Sequence, residues 1–328
     1  MPSLHRPTRP TRPRRSAAAP RTASPRIVVL GDLALDVVVR PARALEIGTD
    51  VPGRVTFVQG GSAANTARWL ARLGARTTLI AAVGRDAVGR ALVEAVKRDG
   101  VTARVSRLAG ARTARIAVLI APDGERSFVP DRGAADALDP ADLRASWFAG
   151  AQALHLPVYS LLGEPLGDAG RRAIELARAA GASVSVDLAS VGPLMAHGRR
   201  RATDLVAAAG PDLLFATATE VDAFLGGHPA ARLLDISTIV VVKRGAKGAT
   251  VLARSGSERL RFEVATASID AADSTGAGDA FDAGFLVGWF AAKAAGRSLP
   301  AALHRAALSG HRCAARHLTT PRPEIPFG

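Results

Sequence analysis

Cysteine is almost missing: Cys313 is the only one in 328 residues. A lone thiol excludes an intramolecular disulfide and a cysteine cluster around zinc, and it suits a reducing cytoplasm. Aromatic residues make up only 4% of the chain, so a core must rest on Ala, Val and Leu. No unbroken apolar run approaches about 18 residues, so no membrane span is predicted. Two common phosphate-binding patterns are absent as well. There is no G-x-x-x-x-G-K-[ST] loop. The dinucleotide pattern G-x-G-x-x-G fails where it comes nearest, because Gly276, Gly278 and Phe281 fill its three positions.

What is present is ordinary globular material, 48% hydrophobic and 22% charged, long enough for a large core or two domains. The net charge is +14, and it is uneven. Arg6, Arg9, Arg12, Arg14, Arg15, Arg21 and Arg26 carry half of it in a stretch without a single acid. Residues 1–25 are therefore predicted to be a disordered Arg/Pro-rich tail, since they lack apolar periodicity. Nucleic acid is a conceivable contact for such a tail, but a solvated extension accounts for it and nucleic acid is not the expected partner. Arg14-Arg15 lack the following apolar run that a twin-arginine export signal needs.

From residue 26 onward the text is rhythmic. "RIVVLGD" (26–32), "TTLIAAVG" (77–84), "ALHLPVYSL" (153–161), "SVSVDLAS" (183–190), "DLLFAT" (212–217) and "TIVVVKRG" (238–245) are short apolar strands. Helical stretches separate several of them, such as "DAVGRALVEAVKRDG" and "GDAGRRAIELARAAGA". Alternating strands and helices predict an α/β fold: a mainly parallel sheet covered on both faces, with ligands beyond the carboxyl ends of its strands. Two segments break the rhythm, at about 37–58 and 112–131. Both look like β-ribbon, and the second carries the turn "PDG". Together they predict a small β-sheet lid inserted into one domain spanning 26–328.

Five spots invite chemistry. In "DSTGAGDAF" (273–281), Gly276-Ala277-Gly278 should occupy a helix N-terminus, where unpaired N–H groups and the helix dipole suit a phosphate. Asp279 follows at once; alone, it equally fits an ordinary first-turn helix acid. In "QGGSAANTA" (59–67), Gly60 and Gly61 precede a helix with Ser62 as its expected N-cap and Asn65 in its first turn. The glycines admit a hydroxyl-rich ligand to the backbone, or simply cap a helix. Asp36, just past "VVLGD", is placed to accept two sugar hydroxyls. Glu220 stands where strand "DLLFAT" hands over to a helix, near metal or phosphate or merely near the helix dipole. Lys243, Gly245 and Gly248 sit at another strand end, where the glycines either admit a nucleotide or turn a hairpin.

Taken in order, these pieces resemble the ribokinase-like carbohydrate kinases, the PfkB family, over about residues 26–325. "GGSAANTARWLARLGARTTLIAAVGRDAVG" is similar to the family's N-terminal signature, and "DSTGAGDAFDAGFL" to its C-terminal one. The resemblance implies a ribokinase-like three-layer αβα sandwich and transfer of the γ-phosphoryl group of ATP to a hydroxyl of a sugar or sugar derivative. It implies Asp279 as general base, with Gly276, Ala277 and Gly278 stabilising the phosphoryl charge. It implies Asp36, Gly60, Gly61 and Asn65 around the sugar, and Lys243, Gly245 and Gly248 with Glu220 near the nucleotide. Glu220 would organise Mg²⁺ through water, and Asp273 and Thr275 match a monovalent-cation (K⁺) site of many members. A homodimer through the lid and a cytoplasmic location belong to the same expectation. Three departures stand out. Thr217 replaces the Asn that often precedes the acid by three residues. Ala34 replaces an Asn of ribokinases proper, and Ser62-Ala63 replace their Lys-Gly, so ribose is not named as substrate. A nucleoside kinase of the same family is the rival reading, with Phe57, Phe128 and Tyr159 near plausible base-binding positions. A sugar-binding regulator without catalysis is the third.

Overall fold

The computed structural model describes residues 24–196, 198–271 and 273–326. The tail expected over 1–25 lies, up to residue 23, outside the described residues. The chain runs β1 (Arg26–Leu30), β2 (Ala34–Pro41), β3 (Gly53–Gly60), α1 (Ser62–Arg72), β4 (Arg76–Gly84), α2 (Ala87–Arg98), β5 (Thr102–Leu108), β6 (Arg115–Ile120) and β7 (Arg126–Asp131). It continues with β8 (Ala153–Pro157), α3 (Leu166–Ala179), β9 (Ser183–Asp187), α4 (Val191–Met195), α5 (Arg199–Ala209), β10 (Leu213–Thr217) and α6 (Ala218–Leu225). It ends with β11 (Ile239–Lys243), β12 (Ala249–Ser255), β13 (Glu258–Val264), α7 (Ala277–Ala294) and α8 (Leu299–Leu318).

Nine strands form the main sheet in the order β13-β12-β11-β10-β9-β8-β1-β4-β5. The seven from β11 to β5 pair in parallel, and β12 and β13 add an antiparallel edge. In β1, Ile27 and Val29 join the apolar layer beneath α1, α2, α7 and α8, while Val28 and Leu30 join the opposite layer beneath α3, α5 and α6. Burial on both faces is why the central strands read as unbroken apolar runs rather than alternating ones. The stretch 153–161 is strand only as far as Pro157; Val158–Leu161 turns into a 3-10 helix. Among the aromatics, Phe148, Phe215, Phe224 and Phe285 are fully buried anchors in a mainly aliphatic core.

The second sheet has four strands in the order β3-β2-β6-β7. It is the predicted lid, and its strand β2 starts earlier than the expected segment. Asp36 therefore lies on the lid sheet, paired with Val58 across β3, and not at the end of a main-sheet strand. The chain leaves the main sheet at Gly31 and enters the lid within three residues. The lid strands alternate as a half-buried sheet should. Asp36, Val38, Thr56, Val58 and Val118 face inward and are buried, while Val55 and Phe57 face outward.

Helix α7 carries the C-terminal motif and is buried along most of its length. It lies against α8 at close range because a side chain has no room at Gly284: a Cβ there would stand 2.6 Å from the Ser309 carbonyl oxygen. Gly310 on α8 likewise accepts the ring of Phe281, which a Cβ would meet at 2.8 Å. These two small residues fix the helix that delivers Asp279 to the sheet edge.

Candidate functional site

The carboxyl ends of the parallel strands, the start of α7 and the inner face of the lid enclose a cavity of about 520 Å³. Its walls include Asp32, Asp36, Gly61, Asn65, Arg132, Asp187, Glu220, Lys243, Gly276, Gly278 and Asp279. Residues far apart in sequence meet here because parallel strands all deliver their ends to one edge.

Gly276 caps α7 in the left-handed region at φ 88°, a conformation that suits glycine. Ala277 is the first helical residue, and Asp279 the third. Gly276 and Gly278 line the cavity, whereas the N–H of Ala277 donates to the Ser274 carbonyl at 3.2 Å. Asp279 accepts from the Ser62 hydroxyl at 2.6 Å and from the Asn65 amide at 2.9 Å. Both donors come from the first turn of α1. The two separate glycine-rich motifs are thus joined through one carboxylate. Burial pushes the Asp279 carboxyl up from 3.8 to about 7, against the pull of the Ser62 and Asn65 donors.

Ser62 is not the N-cap of α1. Gly61 caps it at φ 93°, and Ser62, one residue inside the helix, sends its hydroxyl to Asp279 instead. A Cβ on Gly61 would stand 2.5 Å from the Asp32 carbonyl oxygen. At Gly60 a Cβ would lie 1.8 Å from Asp36 Oδ1, so this glycine makes the space that the Asp36 carboxylate fills. Asp36 is itself buried, and Arg322 donates to its Oδ2 at 2.7 Å. Burial pushes Asp36 up to about 6 despite that guanidinium.

At the opposite wall, Lys243 ends β11 and is buried with two carboxylates. Its Nζ donates to Asp187 at 3.1 Å and to both oxygens of Asp282 at 3.1 and 3.2 Å. Burial opposes the ammonium, but Asp187, Asp282 and Glu220 outweigh it and raise the Lys243 pKa. Lys243 lines the cavity, and a Cβ on Gly278 would come within 3.3 Å of its Nζ. Gly245 and Gly248 do not line it. They turn the β11–β12 hairpin at φ 56° and 84°, and a Cβ on Gly248 would meet the Val264 carbonyl oxygen at 2.2 Å.

Glu220 is buried at the third position of α6 in a reciprocal capping box. It accepts from the Thr217 N–H at 2.7 Å, and its own N–H donates to the Thr217 hydroxyl at 3.2 Å. Thr217 thus supplies the N-cap that an Asn would have supplied. Burial raises the Glu220 pKa. Asp273 and Thr275 precede the left-handed turn at Gly276. Asp273 accepts from Arg322 at 3.0 Å, from Arg40 at 3.2 Å and from the Thr275 N–H at 2.9 Å.

Several site residues, Asp32 among them, carried no assignment from the sequence. Asp187 sits at a strand end like those singled out above, so the same reasoning would have found it. Asp282 lies one helical turn after Asp279. Arg132 stacks over Tyr159 at 4.8 Å and pairs with Asp136 at 2.6 Å and Asp32 at 3.5 Å. Arg322 had no signal among 43 Lys and Arg residues. Of the aromatics considered for a base, Phe128 and Tyr159 line the cavity, while Phe57 does not.

Comparison with known proteins follows the same outline. The model of the pfkB family carbohydrate kinases matches residues 24–325. Similar relatives include probable fructokinase-3 of Arabidopsis thaliana, 31% identical over 271 residues, which are 78% of this chain and 75% of that protein. Another is the ATP-dependent ribose-1-phosphate kinase of Halopiger xanaduensis, 31% identical over 298 residues, 90% of this chain and 95% of that one. Among solved structures, the adenosine kinase of Sinorhizobium meliloti shares the fold with a TM-score of 0.77 and 24% identity, covering 92% of this chain and 96% of that one.

Proposed function

The chain belongs to the pfkB family of carbohydrate kinases, and from that premise we propose that it transfers the γ-phosphoryl group of ATP to a sugar hydroxyl, with Asp279 as general base. One observation carries the proposal: a half-buried carboxylate, oriented by Ser62 and Asn65, sits at the N-terminus of α7 beside the left-handed turn of Gly276. A carboxyl held near pH 7 is matched to taking a hydroxyl proton at neutral pH.

In this reading the acceptor oxygen attacks the γ-phosphorus, the bond to the ADP oxygen breaks, and the acceptor proton passes to Asp279. The N-terminal peptide groups of α7 and the positive end of its dipole meet the charge on the transferring group. Asp36 orients acceptor hydroxyls from the lid, Gly60 makes room for that carboxylate, and Gly61, which lines the cavity, lets the sugar approach the backbone. Closure of the lid removes water that would otherwise compete as acceptor. Lys243, fixed between Asp187 and Asp282, presents its charge beside Gly278 rather than reaching freely into solvent.

Mg²⁺ fits as an ion carried mainly by the nucleotide phosphates. Among the described residues no group of three or more His, Cys, Asp or Glu side chains is placed to hold a metal. Glu220 and Asp187 would act on it through water, as suits an ion that keeps part of its hydration shell. Bound Mg²⁺ supplies neutralisation of the phosphate charge.

The two relatives named above, both 31% identical, are a sugar kinase and a sugar-phosphate kinase by name, which favours a sugar over a nucleoside. Acceptor-dependent ADP formation across hexoses, pentoses, sugar phosphates, sugar acids and nucleosides tests this. A sugar or sugar derivative is the expected best acceptor. Turnover confined to nucleosides would put Phe128 and Tyr159 around a base instead, and no acceptor-dependent ADP with any compound would leave the non-catalytic reading. The reading further takes residues 26–328 as one kinase unit acting in the cytoplasm. Among the described residues, no helix is long and apolar enough to cross a membrane. The outward lid face exposes Val55 and Val129 at 55% and 63%, which supports a homodimer through the lid. Light scattering on the full chain would give a dimer mass if so and a monomer mass if not.

A further inference from the structure

The K⁺ site implied at Asp273 and Thr275 does not fit this chain. A free cation is held by a shell of oxygen atoms. Here each side-chain oxygen of Asp273, and both oxygens of Thr275, already accept from a donor. Asp273 Oδ1 takes the Thr275 N–H, and Oδ2 takes Arg40 and Arg322. The Thr275 hydroxyl takes Arg126 at 3.3 Å, and its carbonyl takes His317 Nε2 at 2.7 Å. That last bond is fixed in direction. Trp69 can only donate, and it donates to His317 Nδ1 at 3.2 Å, so Nε2 carries the hydrogen that Thr275 receives.

We propose that the guanidinium of Arg322 is the resident cation of this site, a tethered counter-ion that replaces a free monovalent cation and positions the sugar-binding carboxylate of Asp36. The two ends of one guanidinium bridge two elements: Nη1 to Asp36 on the lid at 2.7 Å, and Nη2 to Asp273 ahead of the catalytic turn at 3.0 Å. A planar fork can span two carboxylates in this way, whereas a compact ammonium cannot. The side chain is only 12% exposed, so its charge acts in a medium that screens it weakly.

The backbone that presents Arg322 is anchored too. After α8 the chain crosses to the lid, where Glu324 bridges to Val58 and the Ile325 N–H donates to the Phe57 carbonyl at 2.8 Å. The C-terminal strap therefore extends the lid sheet along β3 and carries the guanidinium under it. Lid position, the Asp36 carboxylate and the loop before Gly276 share one mechanical link. Arg322 is a positioning residue: it touches neither the transferring phosphoryl group nor the base.

The kinetic part of the test rests on the kinase reading, and the thermal part does not. In the full chain, KCl is exchanged for tetramethylammonium chloride at equal ionic strength. The melting temperature and the acceptor kcat/KM of the unaltered protein are expected to stay the same. Arg322→Gln is expected to raise the acceptor KM about tenfold or more while kcat at saturation falls less than about threefold, and added K⁺ or guanidinium should restore both KM and melting temperature in part. Arg322→Lys, which keeps the charge but loses the fork, should fall between. An unaltered protein that K⁺ stabilises, or activates more than about twofold, would overturn the proposal, and so would Arg322→Gln with an unchanged acceptor KM. If Arg322→Gln does not fold, the cation exchange on the unaltered protein and the Arg322→Lys variant decide. An unaltered protein without kinase activity would overturn the kinase reading alone, since K⁺-induced stabilisation would still be measured.

Discussion

Replacing Asp279 by Asn should make the protein more stable while it lowers turnover by orders of magnitude. The carboxyl titrates at 3.8 in an open chain and at about 7 in the fold, because burial disfavours its charged form. Below pH 3.8 it is protonated in both states and contributes nothing. As pH rises toward 7, the unfolded chain gives up its proton and the native state keeps it, so stability falls. Above pH 7 the whole cost is present, at most about 4 kcal/mol. The open side of the cavity screens the charge, so roughly half of that is expected. Asn is isosteric and carries no charge. Its oxygen can accept from Asn65, and its amide can donate to the Ser62 hydroxyl, which rotates to receive it. The variant should therefore gain about 2 kcal/mol at pH 8, several degrees in melting temperature for a chain of this size. Urea unfolding followed by circular dichroism at pH 5 and pH 8 is the assay. The gap between the two proteins must widen with pH. A variant less stable than the parent at pH 8, or a gap independent of pH, would refute the assignment of a desolvated carboxylate.

Other outcomes follow from the same geometry. Removing a donor to the carboxylate with Asn65→Ala should lift the acid limb of the kcat–pH profile by roughly one pH unit, because that hydrogen bond favours the ionised base; a limb that stays or moves to lower pH would speak against Asp279 as the titrating group. Gly60→Ala places a methyl group 1.8 Å from Asp36 Oδ1 and should raise the acceptor KM about tenfold, with ATP KM unchanged. Lys243→Met leaves Asp187 and Asp282 buried without their partner and should cost about 3 kcal/mol by urea unfolding. Adding Asp282→Leu to it should recover part of that loss; strict additivity of the two changes would mean the ion pairs are not coupled.

Much of this site could be read from residue order, for physical reasons. Strands buried on two faces must be apolar throughout, so β1, β4, β9, β10 and β11 were legible, and their carboxyl ends point to one edge. Small residues before an acid at a helix start mark a place where backbone meets ligand, which located Gly276 and Asp279. The partners of these elements were less legible. Ser62 looked like a cap because Ser commonly is one, but Gly61 took that role and freed the hydroxyl for a carboxylate 217 positions away. Asp36 looked like a strand-end residue because it follows the first main-sheet strand by only a few residues, and nothing local shows that the chain turns at Gly31 into a different sheet. Gly245 and Gly248 were ambiguous, since a hairpin and a nucleotide loop both need positive φ. Arg322 was invisible for a different reason. Its importance comes from two carboxylates brought together only by the fold, and no local pattern separates it from the other arginines.

The base assignment meets its most direct test in a single turnover measurement. With saturating ATP, Mg²⁺ and the best acceptor from the sugar panel, Asp279→Asn should bind both substrates and lower kcat by a factor of about 100 to 10,000 relative to the parent. Turnover within a few-fold of the parent would show that Asp279 does not take the hydroxyl proton.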